Sequence, residues 1–189
     1  MNEQSKKLRL TLNCAIFAAV TAIMAQVEVP LPLVPISGQT LAVGITATIL
    51  GSRQGAVAMV CYAAIGTAGL PVFAGLSGGP QILAGPTGGY IIGFIAAAFF
   101  TGLILEKTRY TIPMAMIANT AGMIITLMFG TIQLKFIVDL GWKEALASGV
   151  YPFVFVGLIK AFLASWIGIT VRKQLIQASL ITETYKKTA

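Results

Sequence analysis

The chain has 189 residues, of which 57% are hydrophobic and only 10% charged, with a formal net charge of +7 and a mean hydropathy of +0.87. Soluble domains carry about a quarter charged residues, so an ordinary soluble globule is excluded. The basic residues stand in short clusters beside apolar runs, which marks membrane topology rather than a nucleic-acid surface. The start, "MNEQSKKLRLTLNCAIFAAVTAIM", has a charged opening and no small-residue cleavage site, so it reads as a first membrane helix and not as a signal peptide. Hydropathy predicts helices over 8–26, 39–50, 55–68, 87–105, 111–137 and 149–172. The expected fold is an all-α integral membrane protein: one six-helix domain over 1–189, with Pro/Gly-rich outer loops capping a ligand cavity. The second helix is short, since twelve residues rise about 18 Å against a hydrocarbon core of roughly 30 Å.

Pro30, Pro32 and Pro35 break the helix pattern between the first two segments. A second irregular stretch, "GLPVFAGLSGGPQILAGPTGGY", runs from Gly69 to Tyr90 without a charged side chain. With both termini placed in the cytoplasm, ten basic residues fall inside: Lys6, Lys7, Arg9, Arg53, Lys107, Arg109, Arg172, Lys173, Lys186 and Lys187. Lys135 and Lys143 fall outside, and Lys160 lies within the sixth helix. The positive-inside rule therefore predicts N-in, C-in, with loops 27–38 and 69–86 on the same outer face. Irregular backbone at membrane depth is tolerated where protein buries it or where it lines a cavity. Two readings stand for the glycine loop: a ligand-facing wall, or a lid or plug with no ligand.

The chemistry of catalysis is missing. There is no Walker motif and no histidine, and Cys14 and Cys61 sit in apolar runs. The acids Glu3, Glu28, Glu106, Asp139, Glu144 and Glu183 lie at helix ends, in loops or in tails. Nothing assembles a metal site or a paired-carboxylate site, and the chain is not expected to be an enzyme or to need a cofactor. Lys160 is the exception. It stands deep in "YPFVFVGLIKAFLASWIG", where an ionisable group is costly and marks a function. It suits a ligand carboxylate; the alternative is a lysine that is neutral or held by a backbone carbonyl. Gln39 and Thr40 open the second helix, and Thr87, Gly88 and Gly89 open the fourth, where backbone donors suit a polar or anionic group. Asn119 reads equally as a ligand contact or as interhelical glue. On the first helix, Ala15 with Ala19 and Ala18 with Ala22 have the small-xxx-small spacing that lets another helix approach.

Four segments carry a family resemblance: "PISGQTLAV" (35–43), "GLPVFAG" (69–75), "GPTGGYIIGF" (85–94) and "LIKAFLA" (158–164). Together they resemble BioY, the biotin-binding S-component of energy-coupling factor (ECF) vitamin transporters, over nearly the whole chain. The resemblance implies capture of biotin from outside, and transport together with a transmembrane coupling subunit and ABC-type ATPases. It assigns the alanine face of the first helix to docking of the coupling subunit. Biotin fits the residue chemistry read above: its carboxylate could meet Lys160, with the orientation of biotin left open. The ureido ring would go to Ser37, Gln39, Thr40, Asn119 or the glycine-loop backbone, Gly79 included, and the apolar parts to Phe73, Leu83 and Tyr90. The family usually has an aspartate three residues before the lysine, where this chain has Gly157. The other class kept open is a self-contained membrane facilitator or secondary transporter for a small organic anion.

Overall fold

In a computed structural model, residues 3–181 are described. Lys186, Lys187 and Glu183 lie outside the described residues, and so do the side chains of Glu3, Lys6 and Lys7. The described chain runs α1 (Glu3–Ala25), β1 (Glu28–Val29), β2 (Ile36–Ser37), α2 (Gln39–Leu50), α3 (Ser52–Thr67), α4 (Pro80–Ala84), α5 (Gly88–Lys107), α6 (Ile112–Val138), α7 (Trp142–Gly149) and α8 (Tyr151–Gln177). Four stretches are long and apolar enough to cross a membrane: Leu8–Ala25, Gly88–Lys107, Ile112–Val138 and Trp142–Gln177, the last comprising α7 and α8. With 12 and 16 residues, α2 and α3 are shorter than a full span.

Local chemistry sets the ends. Proline stands in the first turn of α4, α6 and α8, where its missing N–H costs nothing. Asp139 closes α6 in the left-handed conformation. The Glu144 carboxylate accepts the Gly141 N–H at 2.9 Å and starts α7, a helix the hydropathy reading left as loop. Loop 27–38 is likewise more ordered than its prolines suggest. Glu28 pairs with Ser37 and Val29 with Ile36 in a small antiparallel ladder around the proline-rich bend.

Large apolar side chains such as Ile117, Ile124, Phe155 and Phe162 point outward, while the interior is rich in alanine, glycine and threonine. Small residues let the backbones approach. A Cβ at Gly93 would lie 3.1 Å from the Thr126 Cα, and one at Gly89 would lie 2.5 Å from the Phe129 carbonyl oxygen, so α5 and α6 touch along their length. On α1 the alanines divide. Ala15 and Ala19 are exposed, but Ala18 is 2% exposed within the core, and Ala22 packs against that core. The expectation that Ala18 and Ala22 meet a partner is therefore corrected: helical periodicity turns that pair inward.

At one end of the bundle, α2 and α3 meet across Gly51, whose φ of +82° favours glycine. Glu106 accepts hydrogen bonds from the Ser52 N–H and the Ser52 hydroxyl, each at 2.7 Å, at the start of α3. The buried Arg172 donates to the Ile49 carbonyl at the end of α2 and stacks on Tyr110 at 3.8 Å. Each charge has the sign that its helix end favours.

Candidate ligand cavity

The opposite end, where the hairpin and the 69–87 segment lie, opens into a cavity of about 260 Å³. Its wall follows helical periodicity: Tyr90, Ile91, Phe94, Ala97 and Thr101 on α5, then Asn119, Gly122, Met123 and Thr126 on α6. Phe153, Val156, Gly157, Lys160, Ala161 and Ala164 form a third stripe on α8. Sequence reading missed most of these apolar positions, because helices that are hydrophobic all round show no inward stripe.

Eight of the twelve ligand residues expected from sequence line this space. Ser37 comes from β2, Gln39 and Thr40 from the start of α2, Phe73 from the roof loop (69–79), Thr87 from just before α5, Tyr90 from α5, Asn119 from α6 and Lys160 from α8. Gly79, Leu83, Gly88 and Gly89 do not line it. Gly79 has a φ of +102°, and its N–H donates to the Gly66 carbonyl at 2.7 Å. The Leu83 carbonyl accepts from Gln133 Nε2 at 2.7 Å, and the Gly85 carbonyl accepts from the same nitrogen at 2.8 Å. Gly88 abuts the Leu83 carbonyl and Gly89 abuts α6. These four shape the loop and the helix contact behind the wall.

Among the described residues, Lys160 is the one charged side chain in the wall. Its ammonium donates to the Ser37 carbonyl at 2.7 Å and to Thr40 Oγ1 at 3.3 Å. Both partners are neutral. The space beside Gly157, one turn away on the same helix face, is taken by the Met123 sulfur. The lysine is therefore held by the start of α2 instead of by a carboxylate on its own helix.

The polar groups around it are tightly paired. Gln39 accepts the Ser37 hydroxyl at 2.6 Å through Oε1 and donates to the Tyr62 hydroxyl at 2.6 Å through Nε2. The Tyr62 hydroxyl donates to the Val72 carbonyl at 3.0 Å. Gln26, at the end of α1, donates to the Phe73 carbonyl at 3.1 Å and accepts the Leu76 N–H at 3.0 Å. Asn119 donates to Thr48 Oγ1 at 3.1 Å, to Ser165 Oγ at 3.1 Å and to the Ala115 carbonyl at 3.0 Å, which joins α2, α6 and α8. Its amide oxygen is buried without a hydrogen-bond partner, against Gly44 of the cavity wall. The Tyr90 hydroxyl donates to the Gly149 carbonyl at 2.9 Å and fixes the wall to α7. Sequence reading missed Tyr62 and Gln133, whose partners lie far along the chain.

Fold and cavity together define a multi-pass helical membrane protein built around an internal cavity. No group of three or more metal-ligating side chains occurs among the described residues. The chain belongs to the BioY family, whose family model matches residues 1–177. It is 38% identical over 173 residues to "Biotin transporter BioY2" of Lactococcus lactis subsp. cremoris, covering 91% of this chain and 94% of that one. It is 37% identical over 166 residues to "Biotin transporter BioY" of Thermotoga maritima, covering 88% of this chain and 97% of the other. Among solved structures it resembles the S-component for biotin from an ECF-type ABC transporter. That match has a TM-score of 0.81 at 28% identity, over 92% of this chain and 95% of that chain.

Proposed function

We propose that this chain captures biotin in the cavity and serves as the substrate-binding S-component of an ATP-driven ECF transporter. The observation that carries the reading is a largely apolar pocket with a single cation, Lys160, in a fold shared with a biotin S-component. Biotin has one carboxylate, a ureido group and an apolar ring and chain. Lys160 is the partner for the carboxylate, and it needs one because its present partners are neutral. Phe73, Tyr90 and Phe94 offer the apolar surface. Thr40, Thr87 and Asn119 supply the polar contacts, while the Ser37 hydroxyl and the Gln39 amide are paired within the chain. Gly79, Leu83, Gly88 and Gly89 leave the ligand set and support it from behind.

In this reading the chain forms one membrane domain in a prokaryotic cell membrane. It has six membrane segments, counting the short α2 and α3, and both termini are cytoplasmic. Arg53, Lys107 and Arg109 then lie inside, and the cavity opens outward. The exposed Ala15 and Ala19 face of α1 docks the coupling subunit, which brings the ABC-type ATPases.

The test is purification from native membranes in mild detergent, with mass spectrometry of bound small molecules and chains. Biotin together with ATPase subunits is the expected result. An organic anion other than biotin, with no accompanying chains, would instead mark a self-contained carrier. Cysteine labelling checks the orientation: modification of 106–110 from outside the cell contradicts it.

A further inference from the structure

Four hydrogen bonds run from the cavity lysine to the roof. Lys160 Nζ donates to the Ser37 carbonyl at 2.7 Å, and the Ser37 hydroxyl donates to Gln39 Oε1 at 2.6 Å. Gln39 Nε2 donates to the Tyr62 hydroxyl at 2.6 Å, which donates to the Val72 carbonyl at 3.0 Å. Val72 precedes Phe73, a roof residue that lines the cavity. Tyr62 itself does not line the cavity. It is 1% exposed, and its ring meets Phe73 edge-on at 5.5 Å and 82°. We infer that Tyr62 is a positioning residue that couples the occupied lysine to the roof loop, so that a ligand held at Lys160 keeps the roof closed.

The argument is one of saturation. The Tyr62 hydroxyl has one proton, and it is committed to Val72. Both groups of the Gln39 amide are engaged by this chain, one accepting and one donating. Buried polar chains of this kind polarise one another, and an unpaired member is costly. The roof is bounded by Gly69 and Gly79, with φ of +104° and +102°, backbone states that glycine adopts without strain. Backbone bonds to Ile65 and Gly66 hold its two ends on α3, side chains of Gln26 and Tyr62 hold the span between them, and the Tyr62 contact is the one that leads back to the ligand's cation. A ligand anion fixes the ammonium, the ammonium fixes Ser37, and the order passes through Gln39 and Tyr62 to Val72.

The inference rests on the reading of the cavity as the biotin site. Its test is therefore kinetic, made on the full-length purified protein with radiolabelled biotin. Tyr62→Phe keeps the ring and removes the hydroxyl. It should raise the biotin dissociation rate roughly fivefold to tenfold, the worth of one hydrogen bond, with the association rate little changed. Ser37→Ala cuts the chain elsewhere and leaves the Ser37 carbonyl on Lys160. It should act similarly, and the double variant should be no faster than the faster single one. A Tyr62 role confined to general stability gives two factors that multiply, which overturns the inference. An unchanged dissociation rate in Tyr62→Phe also overturns it. So does complete loss of binding in a Tyr62→Phe protein that still unfolds cooperatively, since that makes Tyr62 a ligand contact. Should Tyr62→Phe fail to fold, Gln39→Met breaks the same link and decides by the same criteria. A parent protein that binds no biotin sinks the cavity reading instead, which separates the two failures.

Discussion

At the Gly51 corner, charge closes the chain. Glu106 caps the start of α3, and Arg172 holds the end of α2 from α8. At the cavity end, the roof and the proline bend are held by neutral groups: Gln26, Gln39, Tyr62 and Gln133. Hydrogen bonds to charged groups contribute about 1.5–3 kcal/mol each, against about 0.5–1.5 kcal/mol for neutral ones. Water can replace a lost partner at the half-exposed Gln26 and Gln133, but the buried Arg172 guanidinium has no such exchange. The corner is therefore the fixed end of the bundle and the roof is the end that can move. Lys160 joins the two styles: it is a charged group tied to the movable end by neutral oxygens alone.

Replacing Lys160 tests the strongest part of that contrast. Lys160→Ala should weaken biotin binding by roughly 2–5 kcal/mol, the usual effect of truncating one partner of a buried charge pair. Lys160→Met, measured by the same titration, separates charge from volume. The corner should behave differently. Glu106→Ala leaves the Ser52 N–H and hydroxyl unpaired and should cost about 1–3 kcal/mol of stability. Thermal unfolding measures that loss, while biotin affinity of the folded fraction stays at the parent value. A matching fall in affinity would show that the corner is not independent of the cavity.

Smaller effects sharpen the roof. Gln26→Leu removes both contacts to the 73–76 turn. It should speed amide exchange across 70–79 roughly fivefold, as expected for about 1 kcal/mol, and leave exchange at the corner unchanged. Biotin should slow roof exchange in the parent. The smallest effect on binding is expected at α1. Ala15→Trp should leave the isolated protein's biotin affinity unchanged and abolish ATP-driven uptake in cells. Loss of both would mean that this face packs within the chain.

The long helices α5, α6 and α8 are legible in the sequence because continuous apolar runs have few other solutions in a membrane. Lys160 stands out for the same reason, since an ammonium in such a run is costly; the backbone-carbonyl partner that sequence reading kept as the alternative is present as well, in Ser37. Gln39 and Thr40 are found through their place at a helix start and Ser37 through the family resemblance, and all three line the cavity. The short α7 escapes because eight residues carry too little hydropathy, although Gly141 followed by Glu144 is a readable start signal. Tyr62 and Phe94 escape for another reason. Their meaning lies in which way an apolar helix turns, and only packing fixes that. Gly88 and Gly89 mislead because a helix start that could bind an anion looks the same as one that packs against a neighbouring helix. A Cβ built on either glycine meets protein, which decides between the two.

The central claim is that this chain alone, without its partners and without ATP, holds biotin beside Lys160. Calorimetric titration of biotin into the purified single chain tests it most directly. The account predicts one site with a Kd below about 1 µM, equivalent to about −8 kcal/mol, in the absence of nucleotide. A folded chain that shows no binding in that range, or that binds only when ATPase subunits are added, contradicts it.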